Sequence, residues 1–342
     1  MLKYVDDSKL ICEVSSAEDV AESQDSLDAV YKWALVNNMR WNDKKFQVLR
    51  LGRNEVLKEE NPLFSPSHVI IERKETVKDL GITVDQDLSF RPQRQKALSK
   101  CWKKIGWITR TFATRSISFL KTLWTSLVQP HLDYGSIMVA PVSLKCDKLA
   151  AERPLKALTK MAWGTKGLNY WERLEKFCLY SNERRMERYK CLYIWKSLNG
   201  FVPSLGLKWA GSDSRTGARL AYPKVTGPPG HYRTLQRDSI LWEGVRIFNS
   251  LPDELKKFTG TKEAFKNLLD RYLSNIPDQP EYPGILPGGR TLCNKQSNSI
   301  ADWTRVLKID FSTVLLCDDR INCNVNCSGI EGIAQPNPSH GL

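Results

Sequence analysis

Residues 91–200 carry the pattern that most constrains the fold of this chain. Apolar residues recur there at three- and four-residue spacing, with lysine and arginine between them. The stripes are Leu98, Trp102, Ile105 and Ile108, then Leu120, Trp124, Leu127 and Val128. This period is typical of amphipathic helices, which we expect to be punctuated at Pro130, Pro154 and Asn199-Gly200. The segment therefore predicts a basic bundle of about four or five helices.

The positive charge of the chain is concentrated in the same segment. Among 342 residues, 51 Lys and Arg face 38 Asp and Glu, a formal net charge of +13. Residues 1–90 sum to −5, residues 91–200 to +15 and residues 201–342 to +3. This surplus favours a polyanionic partner, although solvated helices can be basic without binding anything. On the wetter side of the first helix we expect Lys96, Lys100, Lys103, Lys104 and Arg110.

Composition excludes several classes of protein. No apolar run approaches the ~20 residues that a membrane-spanning helix needs. The opening MLKYVDDSKL places carboxylates where a signal peptide would have its apolar core. Nine scattered cysteines fit a reducing compartment better than a disulfide framework. We therefore expect no membrane association and an intracellular location, nuclear and/or cytoplasmic.

The segments on either side of the basic bundle differ from it. Residues 17–39 have a helical period, and β-like runs cover 46–51, 68–71 and 80–84. Residues 201–276 are loop-rich with two convincing helical stretches, and four prolines and two glycines follow Ile276. The predicted fold class is α+β, mostly α, with a Pro/Gly linker and a poorly ordered tail over 277–342.

The sharpest local motif is Tyr4-Val5-Asp6-Asp7. Side chains alternate across a strand, so two successive aspartates share a face only if a tight turn intervenes. A hairpin would present at least one carboxylate at its tip. Carboxylates are the protein ligands that Mg²⁺ prefers, and metal pairs held in this way catalyse nucleotidyl transfer. Asp-Asp pairs are also common in ordinary turns, so this motif alone has low specificity.

Further segments follow the Asp pair in a specific order. They are YVDDSKL, W-x7-W-N-x-x-K, VLRLG, VKDLGITVDQDLSF, LWTSLVQPHLDYGS, SNERRMERYKCLYIWKSLNG, RIFNSLPDEL and AFKNLLDRYL. Together they closely resemble the C-terminal half of the reverse transcriptases of non-LTR (LINE-type) retrotransposons, in the broad Jockey and CR1-like group. The resemblance covers roughly residues 1–275 and depends on the ordered series, because many polymerases share the YxDD box.

The resemblance implies a role for each matched segment. Residues 1–90 would be the C-terminal part of the polymerase palm, a remnant of its sheet, and 91–200 the thumb that follows the primer–template duplex. Asp6 and Asp7 would hold catalytic Mg²⁺, and Lys45 would help to protonate the leaving pyrophosphate. Leu80 and Gly81 would lie in the hairpin that grips the primer.

The remaining implications concern partners and the C-terminal part of the chain. The expected partners are an RNA template with a DNA primer, or their hybrid duplex, and no obligate protein partner can be inferred. The thumb cations named above would neutralise phosphates independently of base sequence. Residues 201–276 would form a helical C-terminal region.

Some elements of the family pattern are missing. The family's palm has a third carboxylate on a strand well before YxDD, and its fingers also precede that box. We therefore expect a fragment without polymerase activity of its own. The alternatives are a non-catalytic relic that still binds RNA or an RNA–DNA hybrid, and a fragment that does not fold.

Two smaller candidates have simpler explanations. Cys317, Cys323 and Cys327 lack the spacing of a zinc knuckle, so free thiols are the default. Of the tryptophans in the basic block, some could stack on bases, but most are better explained as bundle core. They are Trp102, Trp107, Trp124, Trp163, Trp171 and Trp195.

Overall fold

The computed structural model describes residues 2–4, 7–52, 62–139, 145–213, 217–224, 230–278 and 299–307. Within those ranges the chain is mainly helical, with three separate two-stranded antiparallel sheets. The predicted class, α+β and mostly α, is confirmed at this level. The predicted tail cysteines lie outside the described residues.

The chain divides into two compact units. Unit 1 comprises residues 1–93 and unit 2 comprises residues 94–342. The boundary between the units, at 93/94, falls inside the helix Arg91–Thr111. It lies three residues from the boundary expected at 90/91. The assignment of the two sides to palm and thumb stays a prediction.

The described residues of unit 1 form two hairpins and one long helix. Its elements are β1 (Leu2–Tyr4), β2 (Asp7–Lys9), α1 (Ala17–Val36), a 3₁₀ turn (Asp43–Lys45), β3 (Thr76–Asp79) and β4 (Ile82–Asp85). A capping box begins α1: Asp19 N donates to Ser16 Oγ, and Ser16 N donates to the Asp19 carboxylate. The expected helix over 17–39 is thus confirmed, with its last turn ending three residues early.

The strands predicted at 46–51 and 68–71 are wrong. These runs form only isolated bridges, Val48 with Arg73 and Phe64 with Ile70. β-Like residues make a strand only where a partner strand lies alongside, and here the neighbouring backbone is irregular. The run at 80–84 is part of the β3–β4 hairpin, in which Thr76 pairs with Asp85 and Asp79 with Ile82.

Unit 2 is a helical assembly with one hairpin. Its first helices are α2 (Arg91–Thr111), α3 (Ile117–Leu123), α4 (Gln129–Asp133), α5 (Ser136–Val139), α6 (Lys145–Lys160), α7 (Tyr170–Phe177) and α8 (Asn182–Leu198). Then come β5 (Trp209–Asp213), β6 (Gly217–Leu220), α9 (His231–Asp238), α10 (Val245–Asn249), α11 (Asp253–Lys256), α12 (Lys262–Leu273) and α13 (Ile300–Leu307). π-Helical segments at Trp124–Val128 and Ile240–Gly244 precede α4 and α10.

The two prolines expected to punctuate the bundle do not break it. Pro130 lies at the start of α4, and the chain accommodates it through the wider π turn before it, in which Gln129 N donates to Trp124 O. Pro154 lies inside α6, which continues to Lys160. A proline removes one helical hydrogen bond, and the burial of Ala151, Leu155 and Leu158 holds α6 together across that gap.

Two hydrophobic cores fill unit 2. The first joins α2, α3, α6 and α7. Its fully buried side chains include Cys101, Ile108, Leu120, Trp124, Leu155 and Leu158. The second joins α8 to the elements after residue 240, with Trp195 stacked on Phe265 at 4.3 Å between ring centroids. Helix α8 therefore belongs to the same core as the predicted C-terminal region.

The second core also includes residues beyond 276. The side chain of Ile300, the first residue of α13, is fully buried. Its N–H donates to Glu187 Oε2 of α8 at 2.7 Å. The expectation of a poorly packed tail therefore does not hold at Ile300, because this residue completes the apolar core around α8.

Candidate nucleic-acid interface

Helix α2 presents a continuous basic face. Lys96, Lys103 and Arg110 are spaced seven residues apart, so they follow one line along the helix. Lys100 and Lys104 lie beside that line, and all five side chains are exposed. The opposite side of α2 buries Cys101, Ile105 and Ile108. The structure thus places the five predicted cations on the outside of one helix.

No negative charge offsets this face within its own helix. The sequence of α2, RPQRQKALSKCWKKIGWITRT, contains no Asp or Glu. Among the described residues, none of the five cations forms a salt bridge, whereas Arg94 of the same helix pairs with Asp147 at 2.5 Å. Cations without carboxylate partners can neutralise phosphates without first breaking an ion pair.

Two tryptophans of α2 face solvent. Trp102 is 44% exposed and Trp107 is 42% exposed. The prediction that most tryptophans of this block are core is wrong: Trp124 and Trp195 are fully buried, but this pair and Trp163 are exposed and Trp171 is half-buried. The spacing predicted Trp102 as part of the apolar stripe; the buried position next to it is Cys101. Ile105 and Ile108 of the predicted stripe are buried, so the stripe is correct at those two positions and wrong at Trp102.

Trp107 is held in place by an aromatic contact. Its ring meets Phe112 edge to face at 5.4 Å, and Phe112 meets Phe119 of α3 in the same way at 5.3 Å. Lys104 Nζ lies 5.9 Å from the Trp107 ring centroid, near the outer limit of a cation–π contact. The indole is therefore supported from one edge and stands next to a free ammonium group.

His131 of α4 lies close enough to the α2 cations for their charge to affect its pKa. Burial lowers the pKa of His131, and the positive charges of Lys100 and Lys104 lower it further. A neutral imidazole beside two ammonium groups adds no repulsion of its own. The positive field of α2 thus extends to the start of α4.

The cations of α8 have a different environment. Arg184, Arg185 and Arg188 are buried. Arg188 Nε and Nη2 donate to the two Asp270 carboxylate oxygens at 2.5 and 2.6 Å, and Arg185 Nε donates to Asp133 Oδ1 at 2.9 Å. Assigning the whole +15 surplus to phosphate binding was therefore wrong for these three charges, since internal carboxylates neutralise them.

The partners of Arg184 belong to the segment that follows α12. Its Nη2 donates to Pro277 O at 2.8 Å, and its Nε lies 3.8 Å from Asp278 Oδ1. Asp278 also accepts hydrogen bonds from Ser181 N and Ser181 Oγ, at 2.5 and 2.7 Å. The N-terminus of α8 is therefore fixed by a segment more than ninety residues further along the chain.

Glu187 shares this buried environment. Burial raises the pKa of its carboxyl to about 7, and the charge of Arg184 with the hydrogen bonds from Ser299 and Ile300 N limits the rise. This carboxyl lies in a structural position, at the contact between α8 and α13.

The β3–β4 hairpin in unit 1 has Leu80 and Gly81 at its turn. Their φ values are 45° and 84°, and two successive positive values are typical of the type I′ turn that joins twisted strands. The expected hairpin is confirmed, with Gly81 supplying a conformation that few side chains tolerate. Its role in primer binding stays a prediction.

An ion pair connects the two hairpins of unit 1. Lys9, at the end of β2, pairs with Asp79, at the end of β3. This ion pair brings the YVDD hairpin and the Leu80-Gly81 hairpin together. Both side chains are partly exposed, so this pair contributes little stability.

The Asp pair is only partly described. Tyr4 pairs with Asp7 across β1 and β2, which confirms a hairpin at this motif, and Asp7 is exposed. Asp6 lies outside the described residues. Among those described, no three His, Cys, Asp or Glu side chains meet as a metal site.

Lys45 lies in the 3₁₀ turn after α1. Its N–H donates to Asn42 O at 2.9 Å, and its side chain is exposed. Asn42, the asparagine of the W-N-x-x-K motif, caps this turn because its Oδ1 accepts a hydrogen bond from Lys44 N at 3.1 Å. Within the described residues, no hydrogen bond or ion pair joins Lys45 to Asp7.

Asp85 has a structural role that was not predicted. It is buried and accepts hydrogen bonds from Ser89 N, Ser89 Oγ and Phe90 N, at 3.1, 2.6 and 2.7 Å. These bonds hold a turn in which Leu88 and Phe90 have positive φ. The Asp-x3-Ser spacing was a usable signal, because Asp side chains commonly organise such turns.

Comparison with known proteins finds no family model, no curated protein and no solved structure that matches the chain. Over the described residues, no helix is both long and apolar enough to cross a membrane.

Proposed function

We propose that this chain is a nucleic-acid-binding segment of a non-LTR reverse transcriptase, an RNA-directed DNA polymerase, and that α2 binds the phosphates of its primer and template. The observation that carries the proposal is the set of five exposed cations on a helix without a carboxylate. Such a face binds any polynucleotide backbone, with an affinity that falls as salt rises.

The test is the salt dependence of binding to an RNA–DNA hybrid, measured by fluorescence anisotropy. Lys96→Gln, Lys103→Gln and Arg110→Gln together should weaken binding at every salt concentration. They should also reduce the slope of log K against log salt by about 2 to 3, since each lost phosphate contact contributes about 0.9.

A matched control removes three other positive charges of unit 2, with Lys166→Gln, Lys262→Gln and Lys266→Gln. Both triple variants lower the net charge equally, so a general effect of charge would weaken binding equally in both. Equal losses, or an unchanged slope in the α2 variant, would contradict the proposal.

The catalytic part of the proposal concerns unit 1. By resemblance, Asp6 and Asp7 are the residues that would hold Mg²⁺, which supplies charge stabilisation for nucleotidyl transfer. Lys45 would provide a proton for the leaving group, and Leu80 and Gly81 would position the primer end. The Lys9–Asp79 pair supports this assignment because it joins the two hairpins concerned.

The second candidate function is binding without catalysis. It is favoured because the unpaired cations lie in unit 2, whereas the aspartates lie in unit 1. In this case Asp6→Asn with Asp7→Asn, or removal of divalent ions, should leave hybrid binding unchanged. Template-directed incorporation that is lost in Asp6→Ala would instead support the polymerase.

A further inference from the structure

We propose that Trp107 is a stacking platform for an unpaired base, so that α2 binds single-stranded polynucleotide in addition to a duplex backbone. This inference rests on the proposed function and adds the form of nucleic acid that the same face recognises. The ligand is a single strand of RNA or DNA with accessible base faces.

The first observation is the exposure of Trp107. A large apolar ring that is 42% exposed leaves in water an apolar area whose burial would be favourable. The same helix buries smaller side chains, Ile105 and Ile108, so an apolar position was available one residue away. The exposed indole thus offers a flat π-face to solvent.

The second observation is the set of neighbours around Trp107. On a helix, residues three and four positions apart are adjacent. For Trp107 these positions include Lys103, Lys104 and Arg110. A base stacked on the indole would have its phosphates within reach of three cations, the combination found in proteins that bind single strands.

The third observation is that Trp107 is held by its neighbours. The edge-to-face contacts to Phe112 and then Phe119 restrict the indole, so less rotamer freedom is lost on binding. In a duplex both faces of each internal base are covered by neighbouring pairs. Stacking on a side chain therefore requires an unpaired or terminal base.

Trp102 provides an unusually close control. It is on the same helix and is exposed to nearly the same extent, 44% against 42%. Its neighbours at three and four positions are Leu98, Ser99, Ile105 and Gly106, none of which is charged. Loss of either indole removes similar exposed area, but only Trp107 lies among cations.

The experiment compares binding of a 15-nucleotide oligo(U), a matching oligo(dT) and a blunt RNA–DNA hybrid. Trp107→Leu should weaken single-strand binding about 5- to 100-fold, as expected for one lost stack. Trp107→Phe should retain most of the affinity, and Trp102→Leu should stay within about twofold. Hybrid binding by Trp107→Leu should also stay within about twofold, because backbone contacts are unchanged.

The outcomes separate this inference from the proposed function. If the α2 triple variant weakens all three ligands while Trp107→Leu weakens neither single strand, the face binds phosphates and this inference fails. If the triple variant changes nothing, the proposed function fails. Equal losses in Trp102→Leu and Trp107→Leu would also overturn the inference, and a loss on one oligomer only would identify RNA or DNA as the ligand.

Discussion

Helices α2 and α8 are both rich in basic residues, but their charges have opposite environments. In α2 the five predicted cations are exposed and form no salt bridge within the described residues. In α8, Arg184, Arg185 and Arg188 are buried against carboxylates. Net charge alone therefore cannot separate a binding face from an internal ionic network.

The residue types of the two helices follow this division. The α2 face is mostly lysine, a strongly hydrated point charge suited to solvent. The buried positions of α8 are arginine, whose planar fork can satisfy several acceptors at once. Arg185 illustrates this, since Nε donates to Asp133 and Nη2 to Asn182, both at 2.9 Å.

The contrast between α2 and α8 is tested most strongly by removing the carboxylate that pairs with a buried arginine. Asp270→Ala leaves Arg188 as a buried charge without its carboxylate, which should cost about 3 to 5 kcal/mol of unfolding free energy. Urea unfolding followed by circular dichroism measures the loss. Lys100→Gln on α2 is the control and should change stability by less than about 0.5 kcal/mol. Similar effects in both variants would remove the distinction between the helices.

Part of the pH dependence of stability should come from Glu187 of α8. Glu187 has a pKa of about 7 in the folded chain against 4.5 ordinarily, so the folded state binds more protons between these values. Stability from this group is therefore full below pH 4.5 and falls as pH rises towards 7, by at most about 3 kcal/mol.

Glu187→Gln should flatten the decline between pH 4.5 and 7, because an amide keeps an acceptor for Ile300 N without titrating. The measurement is the midpoint of urea unfolding at several pH values. Lys103→Gln is the control and should keep the wild-type curve. An unchanged decline in Glu187→Gln would show that another group is responsible.

The smallest effect is expected from exchanging arginine and lysine in each helix. Arg185→Lys keeps the charge but cannot make both of the hydrogen bonds to Asp133 and Asn182, which should cost about 1 to 2 kcal/mol. Lys103→Arg on the open face should be neutral within about 0.5 kcal/mol. Thermal unfolding measures the change in midpoint for each variant. Equal changes would mean that the hydrogen-bond geometry of the basic residue matters no more in α8 than in α2.

Local features were the ones that could be predicted from the sequence. The helical periods of α1 and α2 depend on residues a few positions apart, whereas the hairpin at Leu80-Gly81 was expected from the resemblance. The exposure of the α2 lysines also followed from spacing. These elements need no knowledge of distant parts of the chain.

The rest depends on contacts that spacing does not encode. The burial of Arg188 is decided by Asp270, 82 positions away, and a period-based pattern cannot identify such a partner. The run 46–51 had strand-like residues but only an isolated bridge at Val48. Trp102 and Cys101 are adjacent, so a small rotation of α2 decided which one is buried.

The distant partners of α8 also set an order of assembly during synthesis. Asp270 and Asp278 follow Arg188 and Arg184 by 82 and 94 positions. At typical translation rates of about 5–20 residues per second, that interval lasts roughly 5 to 20 seconds. Throughout it Arg184 and Arg188 lack these carboxylates and stay hydrated, whereas Asp133, the partner of Arg185, has already been made. Helix α8 can therefore complete its packing only after α12 and Asp278 have been synthesised.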